Sequence, residues 1–157
     1  DGSKPNKPIS LAVYVKFTPY NSLRMHIHIH DQLKLAEIKE VFSNYYPHLQ
    51  LAFYSGPHKP YETSDEKELL PANAAVQDVK RTHIDGIIDI RPLQTVNKLE
   101  QEFQQRFGLP VQVLYKNNGV WTQTTGLDTL SLKELNEISR NDSDQSLIED
   151  YDELEEE

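Results

Sequence analysis

The stretch Ile87 to Tyr115, IIDIRPLQTVNKLEQEFQQRFGLPVQVLY, reads as strand, helix and strand, and a fainter copy of it occupies Ile27 to Phe53. The two align at a spacing of about 61 residues. Ile27 falls on Ile88, Ile29 on Ile90, Leu35 on Val96, Ile38 on Leu99, Phe42 on Phe103 and Tyr46 on Phe107. One inserted residue later, Leu49, Leu51 and Phe53 fall on Val111, Val113 and Tyr115. Repetition at this length means duplication of one supersecondary unit that cannot bury its apolar face alone. The chain is thereby constrained to folds in which two strand-helix-strand units cover one another.

The residues around the first copy supply its boundaries. Asp1 to Pro8 is polar and proline-bearing, so residues 1–9 are expected to be a disordered leader. The first residue is Asp1 rather than Met, which points to processing or to a longer parent chain. Leu11, Val13, Val15 and Phe17 alternate with polar or small residues, Pro19 suits a turn, and Leu23, Met25, Ile27 and Ile29 resume the alternation. Residues 10–30 thus read as a hairpin with Arg24, His26, His28 and His30 on its outer side. Leu35, Ile38, Val41, Phe42 and Tyr45 then shift the period to that of an amphipathic helix stopped by Pro47. A strand over 49–54 and a polar loop over 58–67 follow, and Asn73 is placed to cap a short helix over 74–81.

The second copy carries stronger punctuation. Val96, Leu99, Phe103 and Phe107 share a helical face, and Arg106 sits in the last turn where the helix dipole favours a cation. Gly108 supplies the left-handed residue that ends the helix, Leu109 folds back on it, and Pro110 bars continuation. Asn117-Asn118-Gly119 predicts a tight hairpin turn, so residues 120–125 should pair back on the preceding strand, with Trp121 as a core or edge anchor. Ser131 and Glu134 form a capping box with Leu130 and Leu135 as its staple, and a helix over 132–139 follows.

These elements predict an α+β fold. Tandem strand-helix-strand repeats, repeat one at about 23–55 and repeat two at about 84–125, would form a ferredoxin-like βαββαβ sandwich with an extra N-terminal hairpin strand and a C-terminal helix. Two β-grasp-like units are the alternative, because hairpin, helix and strand also match that topology. Residues 10–140 are expected to be one domain, followed by an acidic disordered tail over 141–157.

The tail decides how the charge is read. Asp142, Asp144, Glu149, Asp150, Asp152, Glu153, Glu155, Glu156 and Glu157 account for the whole net charge of −9 and leave residues 1–141 formally neutral. A neutral body and an acidic tail argue against a nucleic-acid partner, which affinity for phosphate would require to be basic. The outward strand positions, among them Gln50, Gln112 and Leu114, lack the paired aromatics of RNA-binding sheets. No window approaches the roughly 18 consecutive apolar residues of a membrane span. The chain has no cysteine, which removes disulfides and thiolate chemistry and fits a cytoplasmic location.

The segment TVNKLEQEFQQRFGLPVQVLYKNNGVWTQTTGLDTLSLKELN resembles a domain in small uncharacterised proteins of Bacteroidetes, with a TVxxLExxF helix, FGLxVxV, a Trp and a TT…D…L segment. It is more distantly similar to a two-copy protein of Mu-like prophages. The matching residues are Leu99, Phe103, Phe107, Gly108, Val111, Val113 and Trp121, which are those already assigned to core and caps. The resemblance implies a bacterial fold unit and carries no activity.

Catalytic motifs are missing from the chain. No two of the six glycines lie close enough for a GxGxxG or P-loop, and there is no HExxH or GxSxG. No cofactor is expected. The reading is a non-catalytic protein-interaction or structural module, with a metal-binding protein or an enzyme whose site the motifs do not mark as the alternatives. For the first, Leu147, Tyr151 and Leu154 are the candidate partner-binding residues, since their spacing shares one helical face within the acidic run. For the metal alternative, His26, His28 and His30 project from one strand face. Their spacing is that of strand periodicity, and a zinc site would need further ligands such as Asp31, His48, His58 or His83.

Overall fold

The computed structural model describes residues 25–56, 69–79 and 85–155, with 145–155 as backbone alone. In chain order these form β1 (His26–Ile29), α1 (Leu35–Tyr45), β2 (Leu49–Phe53), α2 (Val76–Val79), β3 (Gly86–Asp89), α3 (Val96–Phe107), β4 (Val111–Asn117), β5 (Val120–Gln123) and α4 (Leu132–Glu155). The α+β class follows directly. The expected leader and the first hairpin strand lie outside the described residues.

Each helix of the copies forms where its sequence signals place it. Lys34 precedes α1 in an extended conformation, and its N–H donates to the Glu37 carboxylate at 2.8 Å. At α3, the Thr95 hydroxyl accepts the N–H of Lys98 at 3.3 Å. Gly108 closes α3 at φ 61°, and the Gly108 and Leu109 N–H groups donate back to the carbonyls of Gln104 and Phe103, both at 3.0 Å. This is the left-handed helix end anticipated from Phe107-Gly108-Leu109. The short helix α2 begins at Val76 rather than Ala74, so the assignment of Asn73 as its cap is corrected.

The strands pair across the copies. β1 runs antiparallel to β3 with Ile27 opposite Ile88, and β2 runs antiparallel to β4 with Leu51 opposite Val113. Both are pairs of residues that fall on one another in the sequence alignment. The ferredoxin-like sandwich would have joined all four strands in one sheet. Instead they form a two-stranded sheet, β1-β3, and a three-stranded sheet, β2-β4-β5. The reason is physical: period-two alternation fixes which face of a strand is apolar and leaves its partner open.

A further correspondence between the two halves lies outside the stretch that aligns in sequence. The first N–H groups of a helix have no partner within it. Here the helices of each copy satisfy one another's. Leu35 and Ala36 donate to Ala74 and Ala72, and Val76 and Gln77 donate to Leu33 and Asp31, at 2.8 to 2.9 Å. In the second copy, Val96 and Asn97 donate to Leu130 and Asp128, and Leu132 and Lys133 donate to Gln94 and Pro92, at 2.7 to 3.1 Å. The same positions take part in both, so α2 is the counterpart of the start of α4.

One apolar cluster draws on both copies. Phe42, Phe53, Phe103 and Phe107 are each 2% exposed or less, and Phe53 meets Phe103 edge to face at a centroid distance of 5.6 Å. Gln112, expected on an outward face, is 3% exposed, as buried as its neighbours Val111 and Val113. Both sides of β4 are therefore covered at its start. Trp121 is an edge anchor: it is half-buried, with the Lys116 ammonium 4.9 Å from its ring centroid.

The last helix corrects the sequence reading most. It was expected to end at Ser139 before a disordered tail, yet its backbone continues to Glu155. Ser139 is fully buried and bonds two elements at once, donating to the His48 carbonyl at 2.6 Å and accepting the Lys116 N–H at 2.8 Å. One helical turn on, the Asp142 carboxylate accepts the N–H groups of Asn118 and Gly119 at 2.9 and 3.1 Å. These long-range bonds carry the helix past its expected end.

Candidate functional site

The alternation of the MHIHIH run sends Ile27 and Ile29 into the core and turns His26 and His28 outward. On the pleated ladder, His26 lies opposite Asp89 and His28 opposite Ile87, so all four share the outer face. Ile87 is 51% exposed there. Asp89 and Arg91 flank Ile90 at the end of β3, and Arg106 reaches the same place from the last turn of α3.

The charges on this face are engaged with one another. The Arg91 guanidinium donates to both oxygens of Asp89 at 2.8 to 3.0 Å, and its backbone N–H adds a bond at 2.9 Å. These side-chain bonds hold the Asp89 carboxyl below the usual carboxylate range, against the opposing effect of partial burial. The same pairing raises Arg91. The Arg106 guanidinium donates to the Ile87 carbonyl at 2.9 Å, lies 3.8 Å from the Glu102 carboxylate and covers the Phe107 ring. Together with Met25 and His26, these groups line an open cavity of about 250 Å³. Two guanidiniums and two carboxylates share the cavity, so their formal charges balance there.

The three histidines do not converge. His28 contacts the Asp85 carboxylate through Nε2, and its ring meets that of His30 edge-on at 5.5 Å between centroids. His26 lies over the cavity instead. Among the described residues, no three His, Cys, Asp or Glu side chains are grouped where a metal ion could sit. His48 is tied through its backbone to α4, and His58 and His83 lie outside the described residues.

Two other surfaces are candidates for contact with another molecule. Leu93, 83% exposed, and Ile138, 43% exposed, flank an open groove of about 530 Å³ whose remaining walls are Ser131, Lys133, Glu134 and Glu137. The second is the far part of α4. Positions 147, 151 and 154 fall on its helical backbone, and their side chains are outside what the structure describes. None of the described helices is long and apolar enough to cross a membrane.

Sequence reasoning found the outward histidines and missed the ion pairs beside them. Asp89 and Arg91 are two residues apart at a strand end before Pro92, the spacing that puts both on one face. That signal was available, but Arg106, nineteen residues from the Ile87 carbonyl it caps, gave none. No family model matches the chain, and neither the curated proteins nor the solved structures contain a match to it.

Proposed function

We propose that the chain is a non-catalytic protein-interaction module of a bacterial cell whose docking element is the acidic far part of α4. The reading rests on one observation: the helix runs to Glu155, well past Ser139, the last buried residue among its described side chains. A helix of 24 residues rises about 36 Å at 1.5 Å per residue, so its backbone continues for about 20 Å after Asp142. The sequence over 142–157 carries nine acids, no Lys or Arg, and Leu147, Tyr151 and Leu154 at the spacing of helix-in-groove anchors. The complementary partner is a protein with an apolar groove and a basic rim. The mutually paired charges of the β1–β3 face support the non-catalytic part of the reading.

The experiment is affinity capture from the native organism with the full-length chain as bait, beside a variant carrying Leu147→Ala, Tyr151→Ala and Leu154→Ala together. The expected result is a direct partner, confirmed with purified proteins, that the variant loses. Added salt should weaken the complex, since the screening length falls from about 10 Å at 0.1 M to about 3 Å at 1 M. A direct partner that binds the variant equally well would move the docking site elsewhere.

A further inference from the structure

The tip of the β4–β5 hairpin is Asn118-Gly119, with φ of 51° and 75°, and both residues are exposed. Asparagine followed by glycine is the dipeptide in which the next backbone nitrogen reaches the side-chain amide carbon most easily, because glycine has no Cβ to obstruct it. In this protein that nitrogen is occupied: the Gly119 N–H donates to Asp142 of α4 at 3.1 Å, and the Asn118 N–H donates to the same carboxylate at 2.9 Å. The Gly119 carbonyl is held as well, accepting from the Lys116 ammonium at 3.1 Å.

We propose that Asn118 is a site of spontaneous deamidation, held in check by Asp142 and released when α4 leaves the hairpin. In the reaction the Gly119 nitrogen gives up its proton and attacks Cγ of Asn118. A bond forms between that nitrogen and Cγ while the bond from Cγ to Nδ2 breaks, and the amide nitrogen leaves as ammonia. Water then opens the resulting succinimide at either carbonyl, leaving an aspartyl or an isoaspartyl residue at position 118. With α4 docked, the attacking nitrogen points its hydrogen at a carboxylate, and the negative charge of that carboxylate disfavours the amide anion the attack requires. The ladder pair Asn117 and Val120 holds the peptide plane in place.

The product acts back on the helix. Deamidation adds a negative charge at the turn, next to Asp142, and the isoaspartyl form lengthens the backbone between the two N–H groups that the carboxylate grips. Both changes break the clamp, whereas Ser139, a turn earlier, keeps its bonds to His48 and Lys116. Release therefore begins at Asp142 and frees the acidic part of α4.

The test is peptide mapping by mass spectrometry of the full-length protein, aged at mildly alkaline pH, with the isoaspartyl content at position 118 as readout. Asp142→Ala should raise the rate about tenfold, the effect on a rate of losing one charge-assisted bond to the attacking nitrogen. Wild type unfolded in guanidinium should react at least as fast as that variant. Equal rates in folded wild type and Asp142→Ala would overturn the proposal. So would equal rates in folded and unfolded wild type, a comparison that stands even if the variant fails to fold. Hydrogen exchange on wild type gives an independent reading: the Gly119 amide should be protected, and exchange at the rate of an unstructured peptide would refute the clamp. Amides after Asp142 should lose protection in the deamidated protein, and unchanged protection would refute the release.

Discussion

The carboxylate of Glu100, 6% exposed inside α3, accepts the main-chain N–H of Val113 at 3.0 Å. The β4–β5 ladder starts at Leu114 opposite Gln123, so Val113 sits just beyond its end, and Glu100 takes the place of the missing strand. The Thr124 hydroxyl is 3.4 Å from the same oxygen. Glu100→Leu leaves a buried N–H without an acceptor and should cost about 1 to 3 kcal/mol in denaturant unfolding. Glu100→Gln keeps an acceptor and should cost less. A Glu100→Leu protein as stable as the wild type would remove the carboxylate from this role.

Tyr46 makes a long-range bond from the first copy to the second, donating its buried hydroxyl to the carbonyl of Ile90. Burial pushes its phenol well above the ordinary value of 10.0, and the nearby Asp89 carboxylate pushes it further. Its folded pKa being the higher one, the stability contributed is fully present below pH 10.0 and is lost as pH rises from there toward the folded value. Tyr46→Phe should therefore lose about 1 kcal/mol at neutral pH and show a shallower alkaline decline than the wild type. Parallel curves for the two proteins above pH 10 would contradict the assignment.

What was legible in the sequence follows from which interactions are local. The core positions were legible because they keep their chemistry between the two aligned stretches, as at Ile27 and Ile88 or Phe42 and Phe103, all of them buried. The end of α3 was visible because Gly108 and Leu109 act within one turn of their own helix, whereas the Thr95 cap at its start went unread. Strand partnership was not: Leu51 would alternate identically beside any neighbour, and its pairing with Val113 depends on contacts far along the chain. The mutual capping of helix starts was equally hidden, since it uses backbone groups and leaves no mark on side-chain identity. The acidic end of α4 read as a solvated tail because its charge suggested nothing to bury. Asp142 becomes informative once the hairpin turn it clamps is beside it. On the outer face, alternation turned His26 and His28 outward; each ion pair is local, Asp89 with Arg91 at the end of β3 and Glu102 with Arg106 on α3, and what the fold adds is their meeting beside His26.

Phe103 tests whether the two copies share one core. It belongs to the second copy, is fully buried, and packs on Phe53 of the first. Phe103→Ala should cost about 3 to 5 kcal/mol, as removal of a buried aromatic does. Hydrogen exchange should show β2 and β4 weakened together, because each is the other's ladder partner. Loss of protection confined to the second copy would mean that the copies are stabilised separately.

The histidine face yields the last prediction. His28 is already engaged with Asp85, and its ring is 5.5 Å from that of His30, close enough for two imidazoles to lean onto one ion. Structural zinc takes four ligands from several elements, and the described residues supply no third group there. Zinc binding should accordingly be weak, in competition with the His28 contact to Asp85. Calorimetric titration of the full-length protein at neutral pH measures it, with His28→Ala as the comparison. The variant should lose most of whatever heat the wild type shows, because His28 is the shared member of both close pairs. A tight one-to-one site abolished by His28→Ala would instead require a ligand from outside the described residues and would make metal binding the leading function.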